Sequence, residues 1–363
     1  MCRLPNLTLT SCRASSNPLS SKGIRMRPFE GLLSTSLVTP SHDMDLNKLT
    51  ADQTDTFIRA TKLISTAYRK KNLLITYRGD GYANLASALN VPTDEQGLVY
   101  QQVFYFGNKA KHYLERQDQL SRRPHLTSIE DVNDATFDFV FDKIAEISRN
   151  ADIDRERFWR QNIGFYQFFT RPSNKEYFVT KVKNEPQVVK AMVRDYYLFL
   201  LHTAGRRGVT KESFLVSTSV SWEAAAKFNN KNDARKVIYF YFIPTPFDKY
   251  CVTANVEDDL YPVIRNLGLP SYTRGSGLFY WQREVAVRGG LLPHFILGIH
   301  RVDLDQFVVN PHLLNMSREK LPFIIERGIE VNQNDFDERI KETSYQRFSS
   351  LEGEQFYGFE IDE

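Results

Sequence analysis

Cysteine is scarce in this 363-residue chain, with three copies at Cys2, Cys12 and Cys251. They make no even disulfide framework and have no zinc-ligand spacing, which fits a reducing compartment. No stretch approaches the ~20 consecutive apolar residues of a membrane-spanning helix. The N-terminus lacks the apolar run of a secretory signal. The expectation is a cytoplasmic site of action with no membrane partner, delivery into a target cell by a signal-less route being left open. The glycine fingerprints of P-loops and dinucleotide-binding folds are missing. The seven His form no i, i+4 pair beside an acid, and no Ser/His/Asp or Cys/His arrangement stands out. No metal is expected.

Apolar residues are plentiful at 42%, including 26 Phe and 18 Tyr, enough for a sizeable core. Charge is uneven. From Glu330 onward ten acidic side chains face three basic ones, a net of −7, which leaves +10 on the rest of a chain whose total is +3. The basic body is either ordinary surface charge or an attraction for a polyanion such as RNA or DNA.

Residues 1–43 are rich in Ser, Pro, Thr and Arg without a sustained period and read as a disordered leader. Residues 330–363 read as an acidic terminal segment. Between them, 45–71 carries the apolar spacing of one or two helices, and Leu73 to Tyr77 is a buried strand entering a turn at Arg78-Gly79-Asp80-Gly81. Helical spacing then recurs in 101–117, 136–149, 154–169 and 186–201, so 97–205 reads as a large helical insertion. Phe158, Trp159, Phe165, Tyr166, Phe168 and Phe169, interleaved with Arg157, Arg160 and Arg171, fit a helical core or a platform for stacking bases. From Ser213 the texture turns to strands: 214–219, 236–243, 278–287 and 294–302, with helices at 222–228, 256–267 and 311–327.

The chemistry concentrates in three patches. Tyr77-Arg78-Gly79 ends one strand, Ser217-Thr218-Ser219 lies on a second just before a helix, and Gln282-Arg283-Glu284 lies on a third. Strand alternation puts Gln282 and Glu284 on one face. Cleavage of NAD⁺ at the nicotinamide ribose suits such a set. Nicotinamide leaves as a neutral molecule from a cationic donor, so no general acid is needed. One carboxylate stabilises the oxocarbenium-like transition state, and Arg matches the diphosphate better than Lys.

In order and context these patches resemble the mono-ADP-ribosyltransferases of the Arg–Ser–Glu class, among them clostridial toxins and vertebrate ecto-enzymes. The resemblance runs from 73 to about 302 and is most specific over 217–228. It implies an α+β fold, a split mixed β-sandwich with a helical N-terminal part, spanning 44–329. It also implies that Arg78 binds the NAD⁺ diphosphate, with the Gly79 backbone near the nicotinamide amide. Ser217 would position Glu284, Thr218 and Ser219 would support the strand end, and Glu284 would be the catalytic carboxylate. Phe228 is a candidate nicotinamide-stacking ring and Arg235 a candidate second phosphate contact.

Gln282 stands where arginine-modifying members carry a first Glu. The implied acceptor is therefore not arginine but a nucleobase or a protein Asn, Gln or Cys side chain. An intracellular toxin or defence effector, restrained by an antitoxin or immunity protein, fits that activity. Two alternatives stay open: an NAD⁺ glycohydrolase, and a catalytically dead binding module that keeps the fold.

Overall fold

The computed structural model describes residues 31–41, 43–108, 132–149, 153–204, 215–228, 233–244, 247, 251–253, 256–272, 282–288, 290–291 and 295–314. Chain order begins with strands β1 (Ser36–Pro40) and β2 (Leu46–Lys48), helix α1 (Ala51–Arg69), β3 (Leu73–Gly81), α2 (Tyr82–Leu89) and α3 (Gln96–Phe106). Five helices follow: α4 (Asp134–Arg149), α5 (Ile153–Gln161), α6 (Ile163–Phe169), α7 (Asn174–Lys183) and α8 (Gln187–Ala204). The chain then runs through β4 (Leu215–Ser219), α9 (Trp222–Ala225), β5 (Lys236–Pro244), β6 (Cys251–Thr253) and α10 (Val256–Asn266). Strands β7 (Glu284–Arg288), β8 (Ile296–Arg301) and β9 (Gln306–Val309) precede the short helix α11 (Pro311–Leu314).

Local chemistry sets several of these boundaries. Thr50 and Gln53 form a reciprocal capping box at the start of α1, satisfying backbone donors that the first helical turn leaves open. Ser221 caps α9 by accepting from the Ala224 N–H at 3.1 Å. Asn90 ends α2 in the left-handed conformation, which Asn tolerates better than most residues.

Among the described residues the strands form one mixed nine-stranded sheet, ordered β2-β1-β9-β8-β5-β3-β4-β7-β6. Only the β1–β9 contact is parallel; every other neighbouring pair is antiparallel. Pairing is uneven across the sheet. β3 pairs with β5 along all nine of its residues, and β4 with β7 along all five. β3 meets β4 at one pair, Tyr77 with Ser219. The sheet is thus continuous but nearly divided at a seam, with β3 on one side and the β4-β7-β6 half on the other.

Alternation along that smaller half sends its side chains into two different cores. Val216, Cys251, Val285 and Val287 join the first core, with α1 to α3 and strands β3, β5, β8 and β9. Their neighbours along the same strands, Leu215, Val252 and Ala286, join the second, built from α4 to α8 and α10. Burial on both faces explains why Val285-Ala286-Val287 at the centre of β7 is a continuous apolar run rather than an alternating one.

Three expectations change. Residues 36–40, assigned to the disordered leader, are strand β1, because Leu37 and Val38 pair with β9 and Val38 is buried in the first core. Helix α3, assigned to the insertion, buries Val99, Tyr100, Val103 and Phe104 in the first core, whereas among the described residues the members of the second core start at Val132. The strand expected over 278–287 begins at Glu284. The aromatic residues Phe158, Trp159, Phe165 and Phe169 are buried in the second core rather than displayed as a stacking platform. The acidic segment 330–363 and most of the helix expected at 311–327 lie outside the described residues.

Candidate active site

Arg78, Ser217 and Glu284 come from β3, β4 and β7, the three strands at the seam. The register pairs Ser219 with Glu284 and Ser217 with Ala286. Ser217 and Glu284 are therefore diagonal neighbours on one face, within reach of a long side chain. Glu284 is 7% exposed. Burial opposes its charge, but the His202 ring, a hydrogen bond from Ser217 and the Arg78 guanidinium outweigh it. Together they hold the carboxyl below its ordinary range.

Arg78 donates from Nη1 to the Ser217 carbonyl at 2.9 Å and lies 3.8 Å from the Asp80 carboxylate. Its Nε is buried with no hydrogen-bond partner among the described residues. Asp80 in turn accepts from the Gly81 N–H at 2.9 Å and from Asn84 at 3.1 Å, which fixes the turn after Arg78. Gly79 meets a spatial requirement rather than a conformational one. A Cβ there would lie 1.9 Å from the Ala225 carbonyl oxygen and 2.6 Å from that of Phe228. Both are backbone atoms, so no side-chain adjustment makes room. Only glycine lets the end of β3 lie against α9.

The three residues of Ser217-Thr218-Ser219 hold successive points of the Glu284 segment. Ser217 reaches the carboxylate. Thr218, on the opposite face, donates to the Val285 carbonyl at 2.7 Å. Ser219 donates to the Gln282 carbonyl at 2.6 Å and accepts from the Ser221 N–H at 3.0 Å. The hydroxyls clamp the backbone on both sides of Glu284, and one of them continues into the cap of α9.

Gln282 is placed differently from the strand alternation expected. Arg283 has φ +48°, the left-handed region that breaks a strand, so Gln282 lies in the turn before β7 and is half-buried. Its described role is to accept from Ser219 through the backbone. Phe228 is 42% exposed at the end of the α9 segment, beside Gly79. Arg235 is already engaged: its Nε is 3.4 Å from Asp233, and its guanidinium lies 4.7 Å from the Tyr82 ring centre. It is the least site-like of the expected residues.

Sequence reasoning missed His202. Its Nε2 lies 2.8 Å from Glu284 Oε1 and 2.8 Å from Ser217 Oγ, and the side chain is 5% exposed. It comes from the last turn of α8, two helical turns after Asp195. Asp195 receives two bonds from Arg288 at the other end of β7, at 3.0 and 2.5 Å. Helix α8 thus lies across β7 and touches it at both ends. The sequence signal was the shared helix face of Asp195 and His202, visible only once α8 is known to cross the Glu284 strand.

Compared with family models, curated proteins and solved structures, the chain matches none of them. Among the described residues no group of three or more His, Cys, Asp or Glu is placed to hold a metal ion, and no helix is long and apolar enough to cross a membrane.

Proposed function

We propose that the chain cleaves NAD⁺ and transfers its ADP-ribose to a non-arginine acceptor, a nucleobase or a protein Asn, Gln or Cys side chain. The observation that carries this reading is the convergence of Arg78, Ser217 and Glu284 at the seam, with Glu284 buried and held ionised. A buried carboxylate kept charged by oriented donors is a pre-organised partner for a developing oxocarbenium ion. The Arg78 guanidinium retains one N–H without a partner among the described residues, which suits a second, anionic ligand. In the reaction the bond from the nicotinamide nitrogen to ribose C1′ breaks, and its electron pair neutralises the pyridinium. The acceptor lone pair forms the new bond to C1′, and the acceptor loses its proton to solvent. The single residue pair that joins β3 to β4 supports the split sheet that the resemblance implies. We extend the reading to an intracellular toxin or defence effector restrained by an inhibitory partner.

One observation favours NAD⁺ hydrolysis as a second reading. Gln282, the expected acceptor contact, lies off the strand register, whereas Arg78, Ser217 and Glu284 are complete without it. A single experiment separates the readings. NAD⁺ labelled in the adenylate is incubated with the protein and a cell extract, followed by nuclease or protease digestion. Transfer predicts macromolecular label sensitive to one digestion and a Gln282→Ala variant that keeps hydrolysis but loses transfer. Hydrolysis predicts free ADP-ribose alone. Glu284→Ala should lower either activity on the order of 10³-fold; undiminished turnover by that variant refutes the site.

A further inference from the structure

We propose that His202, carried by helix α8 of the second core, is the positioning residue that fixes the Glu284 carboxylate and the Ser217 hydroxyl in their working geometry. The role rests on the NAD⁺-cleaving reading of the site and goes beyond the Arg–Ser–Glu set that defines it.

The hydrogen-bond inventory determines what His202 does. Nε2 is 2.8 Å from both Glu284 Oε1 and Ser217 Oγ. Glu284 is held ionised, and an ionised carboxylate only accepts. Nε2 must therefore carry a hydrogen, in the neutral ring and in the charged ring alike. Ser217 has one hydroxyl proton and directs it at Glu284, so its oxygen faces His202 as an acceptor. The single Nε2 hydrogen is shared between Glu284 Oε1 and Ser217 Oγ, both at 2.8 Å, so His202 holds the two groups together. Removal of His202 leaves Glu284 with one fewer fixed donor, and Ser217 free to rotate its hydroxyl elsewhere.

The support behind His202 is rigid. It has two side-chain torsions and sits on a helix whose Val193, Tyr196, Tyr197 and Leu200 are each at most 1% exposed in the second core. Asp195 joins the same helix to Arg288 of β7. The charged groups that meet at the His202 ring are Glu284 from β7 and, through that carboxylate, Arg78 from β3; Arg194, Asp195 and Arg288 form their own cluster at the other end of β7. Catalytic groups need placement to within about half an ångström, and misplacement by about 1 Å costs on the order of 10²-fold in rate. A donor on a packed helix meets that demand better than a loop side chain.

The test compares His202→Ala, His202→Gln and His202→Phe in the full chain, with thermal stability measured for each. Gln returns an N–H donor close to the position of Nε2; Phe fills the space without a donor. Expected are a fall of about 10²-fold in kcat for NAD⁺ cleavage in Ala and Phe, with KM little changed, and recovery of about tenfold or more in Gln. Infrared difference spectra against Glu284→Gln give a readout that needs no turnover: in His202→Ala the Glu284 carboxyl should protonate at higher pH than in wild type. Equal kcat in Phe and wild type, or failure of Gln to exceed Phe, overturns the role. So does an unmoved Glu284 titration, even if the chain proves not to cleave NAD⁺. If wild type fails to cleave NAD⁺ while the titration moves, the functional reading falls and the positioning of the carboxylate stands.

Discussion

At the residue scale the central balance is at Glu284, where burial favours the neutral acid and three neighbours favour the anion. The neighbours prevail, so its folded pKa lies below the ordinary 4.5. A carboxyl with a depressed folded pKa stabilises the native state at pH above its unfolded value. That contribution is lost as pH falls through the folded one. Glu284→Gln removes the titration. Between about pH 5 and the acid-unfolding limit, the variant's unfolding free energy should therefore fall less steeply than wild type, as chemical denaturation at several pH values would read. Identical slopes would mean that Glu284 is not held ionised. Arg78, Ser217 and Glu284 were all legible in the sequence, because each lies on a strand within a short motif. His202 was not. A histidine near a helix end carries no local signal, and its meaning arises from a partner 82 positions away.

At the scale of elements, α8 and β7 act as one unit. Arg194 and Arg288 are 0% and 1% exposed, and both meet Asp195. Burial pushes the Asp195 carboxyl up, but Arg288 and Arg194 together hold it below its ordinary value. Buried charge persists only when paired, and removing one partner of such a set typically costs about 3–5 kcal/mol. Asp195→Asn should lower stability by about that much, measured by denaturant titration at neutral pH. It should also lower NAD⁺ turnover, because it loosens the helix that carries His202. A loss of less than about 1 kcal/mol would show the triad to be solvated rather than structural. The apolar spacing of α8 was readable in the sequence, and its observed limits differ little from those expected. Its direction across β7 was not readable, since periodicity identifies a buried face without naming the surface it meets. β1 was hidden for a related reason: five residues following a Ser- and Pro-rich stretch become a strand only because β9 lies beside them.

At the scale of the whole molecule, the Glu284 carboxylate stands between two cores. The strand that bears Glu284 contributes Val285 and Val287 to one and Ala286 to the other. One strand pair, Tyr77 with Ser219, joins the β4-β7-β6 half to β3. The helical core is therefore placed to act on the site without being part of its chemistry. Phe169 tests this. It is 0% exposed, and its ring lies 4.7 to 5.6 Å from those of Phe141, Phe165, Phe168, Phe178 and Tyr197. Truncation to Ala in such a cluster costs about 3–5 kcal/mol. Because β3 and β5 pair over nine residues within the other core, that part of the sheet should keep its protection. Hydrogen exchange of Phe169→Ala should show faster exchange throughout α4 to α8 while β3, β5 and β8 stay near wild type. NAD⁺ turnover should fall with the protection of α8, although Phe169 lies outside the Arg78, Ser217 and Glu284 cluster. Equal loosening of both cores would mean that the chain unfolds as one cooperative unit. In that case the helical region supports the site only through global stability, not through His202.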